Sequence, residues 1–373
     1  MLAKTALIIG GGIGGLTAGI ALRQKGIAVD IIERSKDWSV YGVGIIQQMN
    51  VVRAMGQLGI LDGYLSRAYG FDSTTLFVGP GGVQDAKFDT PRLAGPDYPS
   101  NAGIRRPDLQ IVLGEGAKRA GANIRLGTMV TEMNDDGAGV DVTFSDGSTG
   151  RYDVVIGADG IYSQTRQTIM PDAPAPEYTG QWVWRYNFPR PADLDGIHVF
   201  AGPLNAGFVP MTDDLMYMFL VSSEPDTTPL PIDGAASALR DRARKMPPPQ
   251  VAAMIDLITD DAGVVARPME TILLEGDWHK GRIVLLGDAV HASTPHLAQG
   301  AGMAIEDGLV LADELIKAAP EEAFKAYRNR RMPRVAHVAK SSTRIGQMQM
   351  GKIPPFDVGA LTGETIGMMC QPI

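Results

Sequence analysis

Cysteine is almost missing. The chain of 373 residues holds one, Cys370, which rules out an intrachain disulfide, a CxxC redox pair and a thiolate metal cluster, and a reducing cytoplasm suits it best. Histidine is scarce too: there are five, and His291 and His296 have no acidic cluster around them, so no metal site is expected. Positive charge is in deficit, with 34 lysines and arginines against 42 acidic residues, a net charge of −8 and a pI near 5.2. A nucleic-acid-binding surface is disfavoured. An unbroken apolar run is lacking as well. Thr5 to Leu22 carries no charge, yet it holds six glycines, five of them between Gly10 and Gly15. Each glycine costs a helix about 1 kcal/mol relative to alanine, so the run divides into strand, turn and helix instead of forming a signal peptide or a membrane anchor.

What is present is an ordinary globular composition, 45% hydrophobic and 20% charged, in a chain long enough for about two domains. Its 45 glycines imply many tight backbone approaches. Ala6 to Ile9 is a short apolar run bounded by glycine, as expected of a parallel strand buried on both faces. The run Gly10 to Gly15 follows, then Leu16 to Gln24 with apolar residues at helical spacing, then a second strand, Val29 to Ile32, ending at Glu33. The order is strand, turn, helix, strand, acid. Gly10 permits the tight turn, Gly12 lets the backbone approach a pyrophosphate, and Gly15 lets the helix pack on the sheet. The helix N-terminus stabilises phosphate oxygens, and Glu33 can accept from ribose hydroxyls. This unit binds a dinucleotide, but it does not distinguish NAD from FAD.

Two further segments decide that. Val154 to Ser163, followed by Arg166, is another buried strand running into a glycine turn at Asp159 and Gly160. Gly281 to His291 is a third, with Gly287 and Asp288 at its carboxyl end, followed by Pro295 and the glycine-bearing stretch Ala298 to Asp307. Ligands of open α/β sheets sit outside strand carboxyl ends, so these segments share one cleft. With these parts in order the chain resembles the FAD-dependent aromatic hydroxylases, the single-component flavoprotein monooxygenases that include salicylate, hydroxybenzoate and hydroxypyridine-carboxylate hydroxylases. The matching parts are Gly10 to Gly15 with Glu33, the Arg106 to Leu109 stretch, the Asp159-Gly160 segment, and Gly287-Asp288 followed by PHLAQGAGMAIED. The resemblance implies tightly but non-covalently bound FAD. Glu33 then holds the adenosine ribose, with Arg34, Gly14 and Gly160 in the same cofactor set. It also implies that Arg106 lies along the ribityl and pyrophosphate chain, that Asp159 is near the pyrophosphate, and that Asp288 accepts from a ribityl hydroxyl. Gly302 stands where many members carry asparagine, and Ala298 where many carry glycine. Gly300, Ala301 and Gly302 open a helix whose bare N–H groups face the flavin's pyrimidine edge.

No second glycine fingerprint exists for a nicotinamide cofactor, because Gly79 to Gly82 precedes no apolar helix, so NAD(P)H visits transiently. Oxygen then yields a flavin hydroperoxide that hydroxylates an electron-rich ring in a dry site. Trp182 to Phe188 alternates strictly, with Trp182, Trp184, Tyr186 and Phe188 on one face and Val183, Arg185 and Asn187 on the other. Such a stripe is either ordinary core or the wall of a pocket. Tyr217 is a pocket candidate. Arg185 is a candidate for a substrate carboxylate, Pro295 for the flavin ring, and His296 for orienting or deprotonating the substrate. His291 is expected to support its loop. The basic stretch Arg328 to Arg344 reads as a solvated helical face that is also a candidate for NAD(P)H phosphates.

The expected fold is α/β, a Rossmann-like FAD-binding domain from residues 1–73, 101–171 and 278–350. A mainly antiparallel β-sheet substrate domain from 74–100 and 172–277 is inserted into it, and 351–373 form a C-terminal tail open to dimer contact in a monomer or homodimer. The expected function is NAD(P)H- and O2-dependent hydroxylation of a small activated aromatic or heteroaromatic compound in the cytoplasm, with no membrane or nucleic-acid partner. The alternatives are an epoxidase, a non-aromatic hydroxylase, a halogenase, or a flavin-free binding module; Trp182 and Trp184 suggest a halogenase, but the residues after them depart from that motif.

Overall fold

The computed structural model describes residues 1–38, 42–202 and 204–373. Its architecture is α/β, with an antiparallel sheet inserted over a Rossmann-like layer. The first sheet runs in the order His279–Lys280, Ile283–Leu285, Val154–Gly157, Thr5–Ile9, Ala28–Glu33, Asn123–Leu126. All neighbours are parallel except the outermost strand, His279–Lys280. Its central residues Leu7, Ile8, Val155 and Ile156 are fully buried, because helices cover both faces. The carboxyl ends are stitched together by Gly10 N–H to Ile32 O at 2.9 Å, Ala158 N–H to Ile9 O at 2.8 Å and Leu286 N–H to Gly157 O at 3.0 Å. Three turns from distant parts of the chain therefore emerge side by side.

Helices Ile13–Gln24 and Gly300–Leu315 cross in close contact, since a Cβ at Gly308 would stand 2.8 Å from the backbone nitrogen of Ala18. The basic stretch is only in part the expected solvated face, with Arg330, Lys340 and Arg344 exposed. It belongs to a helix, Pro320–Gln349, that packs on Gly300–Leu315, and two of its arginines point inward. Arg331 donates to Asp307 Oδ1 at 2.7 Å and to Glu306 Oε2 at 2.6 Å, and Arg334 to Glu306 Oε1 at 3.2 Å. Both acids are fully buried, so they draw cations to themselves and away from water. Burial alone would raise the Asp307 carboxyl, but His291 and Arg331 outweigh it and hold it at about 2.

A seven-stranded sheet lies over the cleft, in the order Val265–Thr271, Glu177–Pro189, Leu215–Ser223, Asn205–Pro210, Ile197–Ala201, Ser73–Val78, Val83–Asp89. Its centre is antiparallel, and the segment around residues 73–89 joins as an edge hairpin. The aromatic stripe Trp182, Trp184, Tyr186 and Phe188 is core, packed in one cluster with residues of helices Ala235–Ala243 and Pro249–Ile255. The opposite face, with Val183, Arg185 and Asn187, turns toward the Rossmann-like layer, and Asn187 Nδ2 donates to Gly42 O at 3.0 Å. Between the layers sits a small sheet, Gly44–Gln47, Asn101–Arg105 and Ala68–Phe71. Two glycines let it touch the roof: a Cβ at Gly103 would fall 1.9 Å from Pro210 O, and one at Gly44 2.2 Å from the ring of Tyr217. The C-terminal segment carries a helix, Val358–Cys370, whose last carbonyls accept from Arg53 and whose following residues accept from Arg334. Among the described residues no helix is long and apolar enough to cross a membrane.

Arg331→Met should lower the unfolding free energy by about 3–5 kcal/mol, because it removes the one cation that two buried carboxylates share. Denaturant midpoints of the two proteins measure this, and a difference below about 1 kcal/mol would contradict the role given to the cluster.

Candidate active site

The first turn leaves its backbone bare. Gly10 has φ 113° and its ideal Cβ would lie 2.3 Å from Ala158 O, so the position tolerates only glycine. Gly15 abuts the carbonyl of Gly10, and Gly14 abuts Leu286, which presses the helix onto the strand ends. Gly12 is different: a Cβ there would meet no heavy atom within 4 Å. It is also the residue preceding the helix Ile13–Gln24, and no side chain caps that helix end. Unpaired N–H groups and an open cradle coincide. Glu33 sits at the end of the second strand, accepting from Gly11 N–H at 2.9 Å through Oε2 and from Ser35 N–H at 2.8 Å through Oε1. Each oxygen keeps a lone pair for a hydroxyl. Arg34 next to it is exposed.

The second turn is self-contained. The Asp159 carboxylate accepts from Ser163 Oγ and, at 2.9 Å, from both the N–H and the hydroxyl of Thr165, so it shapes the turn and leaves the backbone of Gly160 (φ 81°) to line the cleft. Arg166, almost fully buried, donates to Ile161 O and Ala289 O at 2.8 Å and ties this turn to the third. In that third turn Gly287 N–H donates to Asp307 Oδ2 at 3.1 Å, and His291 Nε2 donates to the same oxygen. His291 thus supports the loop, as expected. Asp288 accepts no hydrogen bond among the described residues. Solvent reaches it through the cleft, yet protein surrounds it, and burial pushes its carboxyl above the usual aspartate range against the pull of His291 and Arg106.

The loop that follows runs through a turn of 3-10 helix, Pro295–Leu297, to Ala298 at φ 53°, the one non-glycine residue with positive φ among those described. Gly300–Leu315 then begins after Gln299, again with no side-chain cap, so Gly300, Ala301 and Gly302 present free N–H groups. His296 is held at both ring nitrogens. The oxygen of Gln349 can only accept, so the proton is on Nε2 (3.1 Å), and Nδ1 faces Thr294 Oγ1 at 2.8 Å. Burial pushes His296 down to about 4, so it is neutral near pH 7 and a poor base.

Across the cleft stand Arg106, Arg185 and Tyr217, near enough to perturb one another. Burial holds Arg106 below the usual arginine range. Burial, with Arg106 adding to it, takes Arg185 to about 10, and burial raises Tyr217 to about 12 against the pull of both arginines. Neither guanidinium is in a salt bridge among the described residues. Arg106 lies within reach of the Asp288 carboxylate, and Arg185, unneutralised as well, lies near Arg106 and Tyr217. An open Gly12 cradle, two uncapped helix ends, an unpartnered carboxylate and free guanidinium groups together suit an elongated dinucleotide with a pyrophosphate, a polyol and an anionic ring edge. No group of three or more metal-binding side chains occurs among the described residues.

A family model described as "FAD binding domain" matches residues 3–342. The chain belongs to that family. Aurachin C monooxygenase/isomerase of Stigmatella aurantiaca is 31% identical, over 92% of this chain and 89% of that protein. The 6-hydroxynicotinate 3-monooxygenase of Pseudomonas fluorescens is 30% identical, over 90% and 89%. The crystal structure of Klebsiella pneumoniae HpxO complexed with FAD and uric acid has a TM-score of 0.83 and 25% identity, over 98% of this chain and 92% of that one. FAD is the cofactor, and the homologues are FAD-dependent monooxygenases.

Sequence reading missed several residues around the flavin cleft. Trp38 lies on Gly11 and Gly114, and Gln110 Nε2 donates to Gly11 O at 2.7 Å. Gln48 and Asn50, at the start of the helix Met49–Gln57, hold Gln299 in the loop that follows the third turn. None has a periodic or spacing signal; the one local hint was the pair Glu306-Asp307, acids at inward positions of an apolar helix.

Gly12→Val should weaken FAD binding to the apoprotein by at least about tenfold while leaving its unfolding midpoint in place, since the added atoms enter only the cradle. Flavin fluorescence titration and denaturation separate the two, and equal affinity would sink the assignment. His296 also makes a pH prediction. A folded value near 4 against about 6.5 unfolded means that this stability is present above pH 6.5 and is lost as pH falls toward 4. In His296→Gln the dependence of unfolding free energy on pH should be shallower by up to one proton across that window.

Proposed function

We propose that this FAD-dependent monooxygenase hydroxylates a small anionic aromatic or heteroaromatic ring, with NAD(P)H as electron donor and O2 as oxidant. The observation that carries the reading is the pair of unneutralised guanidinium groups, Arg106 and Arg185, beside the Tyr217 hydroxyl in a partly desolvated cleft. Cations buried without a counter-ion are costly, and an anion entering between them recovers that cost. Bound FAD supplies two-electron chemistry with a nicotinamide and activation of oxygen for transfer to the ring. Uric acid in the HpxO complex and 6-hydroxynicotinate in the named relative are nitrogen heterocycles that readily form anions, which supports the substrate class.

In this reading Gly12 and the helix after it receive the pyrophosphate, with Gly10, Gly14 and Gly15 shaping the turn, and Glu33 receives the adenosine ribose with Arg34 at its outer side. Asp288, presented by Gly287, holds the ribityl hydroxyls with Arg106 alongside, and Gly160 closes the pyrophosphate region with Asp159 holding its turn. Gly300, Ala301 and Gly302 offer N–H groups to the electron-rich ring edge, where negative charge gathers on reduction. Pro295 and His296 form the wall of the ring site. His296, neutral and engaged at both nitrogens, excludes water there and does not act as the base. Tyr217, its ionisation pushed up to about 12, stays a phenol throughout the neutral range and donates to the substrate oxygen. Arg185 pairs with the substrate's anionic group.

Ring compounds should accelerate NAD(P)H oxidation with matching hydroxylated product, carboxylates and phenolates more than neutral analogues. Arg185→Met should raise KM for the best anionic ring by about 10- to 100-fold, the size of one charged hydrogen bond, and Arg185→Lys should recover part of it. Unchanged KM in Arg185→Met, or neutral rings outperforming anionic ones, overturns the reading.

A further inference from the structure

The turn that opens the Gly300–Leu315 helix is held from a distant element. Gln299, 1% exposed, is bonded on both sides of its carboxamide: Oε1 accepts from Asn50 Nδ2 at 3.0 Å, and Nε2 donates to Asn50 Oδ1 at 3.2 Å and to Gln48 Oε1. Gln48 Nε2 donates in turn to Leu297 O at 3.2 Å. Asn50 is fully buried and also donates to Glu306 Oε1 at 3.0 Å, whose carboxylate Arg331 and Arg334 hold in place. Asn50 opens the helix Met49–Gln57, some 250 residues before the turn that it grips.

Position 302 shows how closely the two segments fit. A Cβ on Gly302 would stand 2.8 Å from Gln299 Oε1, 3.1 Å from Val51 Cγ2 and 3.2 Å from Asn50 Nδ2. The space behind the first helical turn is therefore filled by the Asn50–Gln299 pair, and the N–H groups on its other side are left for a ligand. The preceding Ala298 is kept at φ 53°, a conformation that costs an alanine about 1 kcal/mol and persists only where the surroundings impose it. Carboxamides bonded to one another and to a clamped carboxylate impose it here.

We propose that Asn50 is a positioning residue for the flavin. Buried behind the turn, it sets the aim of the Gly300–Gly302 N–H groups and so tunes both FAD affinity and reduction potential without reaching the ring. This rests on the pyrimidine edge lying at that helix end. Aligned N–H donors stabilise a reduced, more anionic ring more than an oxidised one, so loosening the turn takes more from the reduced form and lowers the potential.

The experiment reconstitutes apoproteins with FAD and measures the dissociation constant and the two-electron midpoint potential. Asn50→Ala should bind FAD about tenfold more weakly, with a further tenfold loss for the reduced form, a fall of about 30 mV. Gly302→Ala, which parts the carboxamide pair without deleting it, should shift the potential in the same direction. The double variant should be no worse than Asn50→Ala, because the Gln299 carboxamide, released from Asn50, can swing away from the new methyl. A potential shift in Gly302→Ala with none in Asn50→Ala makes Asn50 mere filling and overturns the proposal, as do strictly additive effects. If neither moves the potential while Gly12→Val still loses FAD, the flavin edge lies elsewhere, and the underlying placement has failed instead. Should Asn50→Ala not fold, an unchanged potential in Gly302→Ala is enough to overturn it.

Discussion

Parallel pairing of three strands that are far apart in the chain is the constraint from which the rest follows. Thr5–Ile9 lies between Ala28–Glu33 and Val154–Gly157, and Ile283–Leu285 extends the same sheet, all pointing one way. Parallel strands share a carboxyl edge, so the chain must leave each by a turn at the same place. Each turn then brings one chemical capacity: open backbone at Gly12, a self-capped loop at Asp159 that frees Gly160, and an unpartnered carboxylate at Asp288. Shift any of these strands by one residue and the apolar side chains change faces along with the turns, which is why Leu7, Ile8, Val155 and Ile156 hold the site in register as much as they fill the core.

The arginines of this chain show two opposite uses of a buried cation. Arg331 and Arg334 are neutralised by Glu306 and Asp307, and the cluster reaches Gly287 and His291 through Asp307 and Asn50 through Glu306. Its stabilisation is offset by the desolvation of four charged groups, but its geometry is narrow, and it joins the long C-terminal helix to the flavin loop. Arg106 and Arg185 are half-buried and in no salt bridge among the described residues, with Asp288 acting on Arg106 only through space. A cation left unpaired in such a place is open to an incoming anion, whereas a paired one is a strut.

Much of this was legible along the chain. The glycine run with Glu33, the three apolar runs ending in turns, and the helix opening at Gly300 are local signals, since turn chemistry and buried parallel strands act over a few residues. The Trp182 to Phe188 alternation revealed two faces but not their orientation: period two is symmetric, and helices arriving from residues 235–255 decided that the aromatic face is core and that Arg185 faces the cleft. The basic stretch misled for a related reason. Arginine at helical spacing reads as solvated until its partners are known, and those partners, Glu306 and Asp307, lie about 25 residues away on another helix.

Local order along the polypeptide was enough to specify the class of cofactor, because a dinucleotide is gripped by backbone, and backbone conformation is written in short runs of glycine and apolar residues. Which side chains meet across the cleft was settled only in three dimensions. Tyr217 against Gly44, Arg185 beside Arg106, His296 between Thr294 and Gln349, and Asn50 behind Gly302 are contacts between elements that share no spacing rule. Their geometry depends on how two sheets stack, and stacking is set by the summed packing of many residues rather than by any one of them.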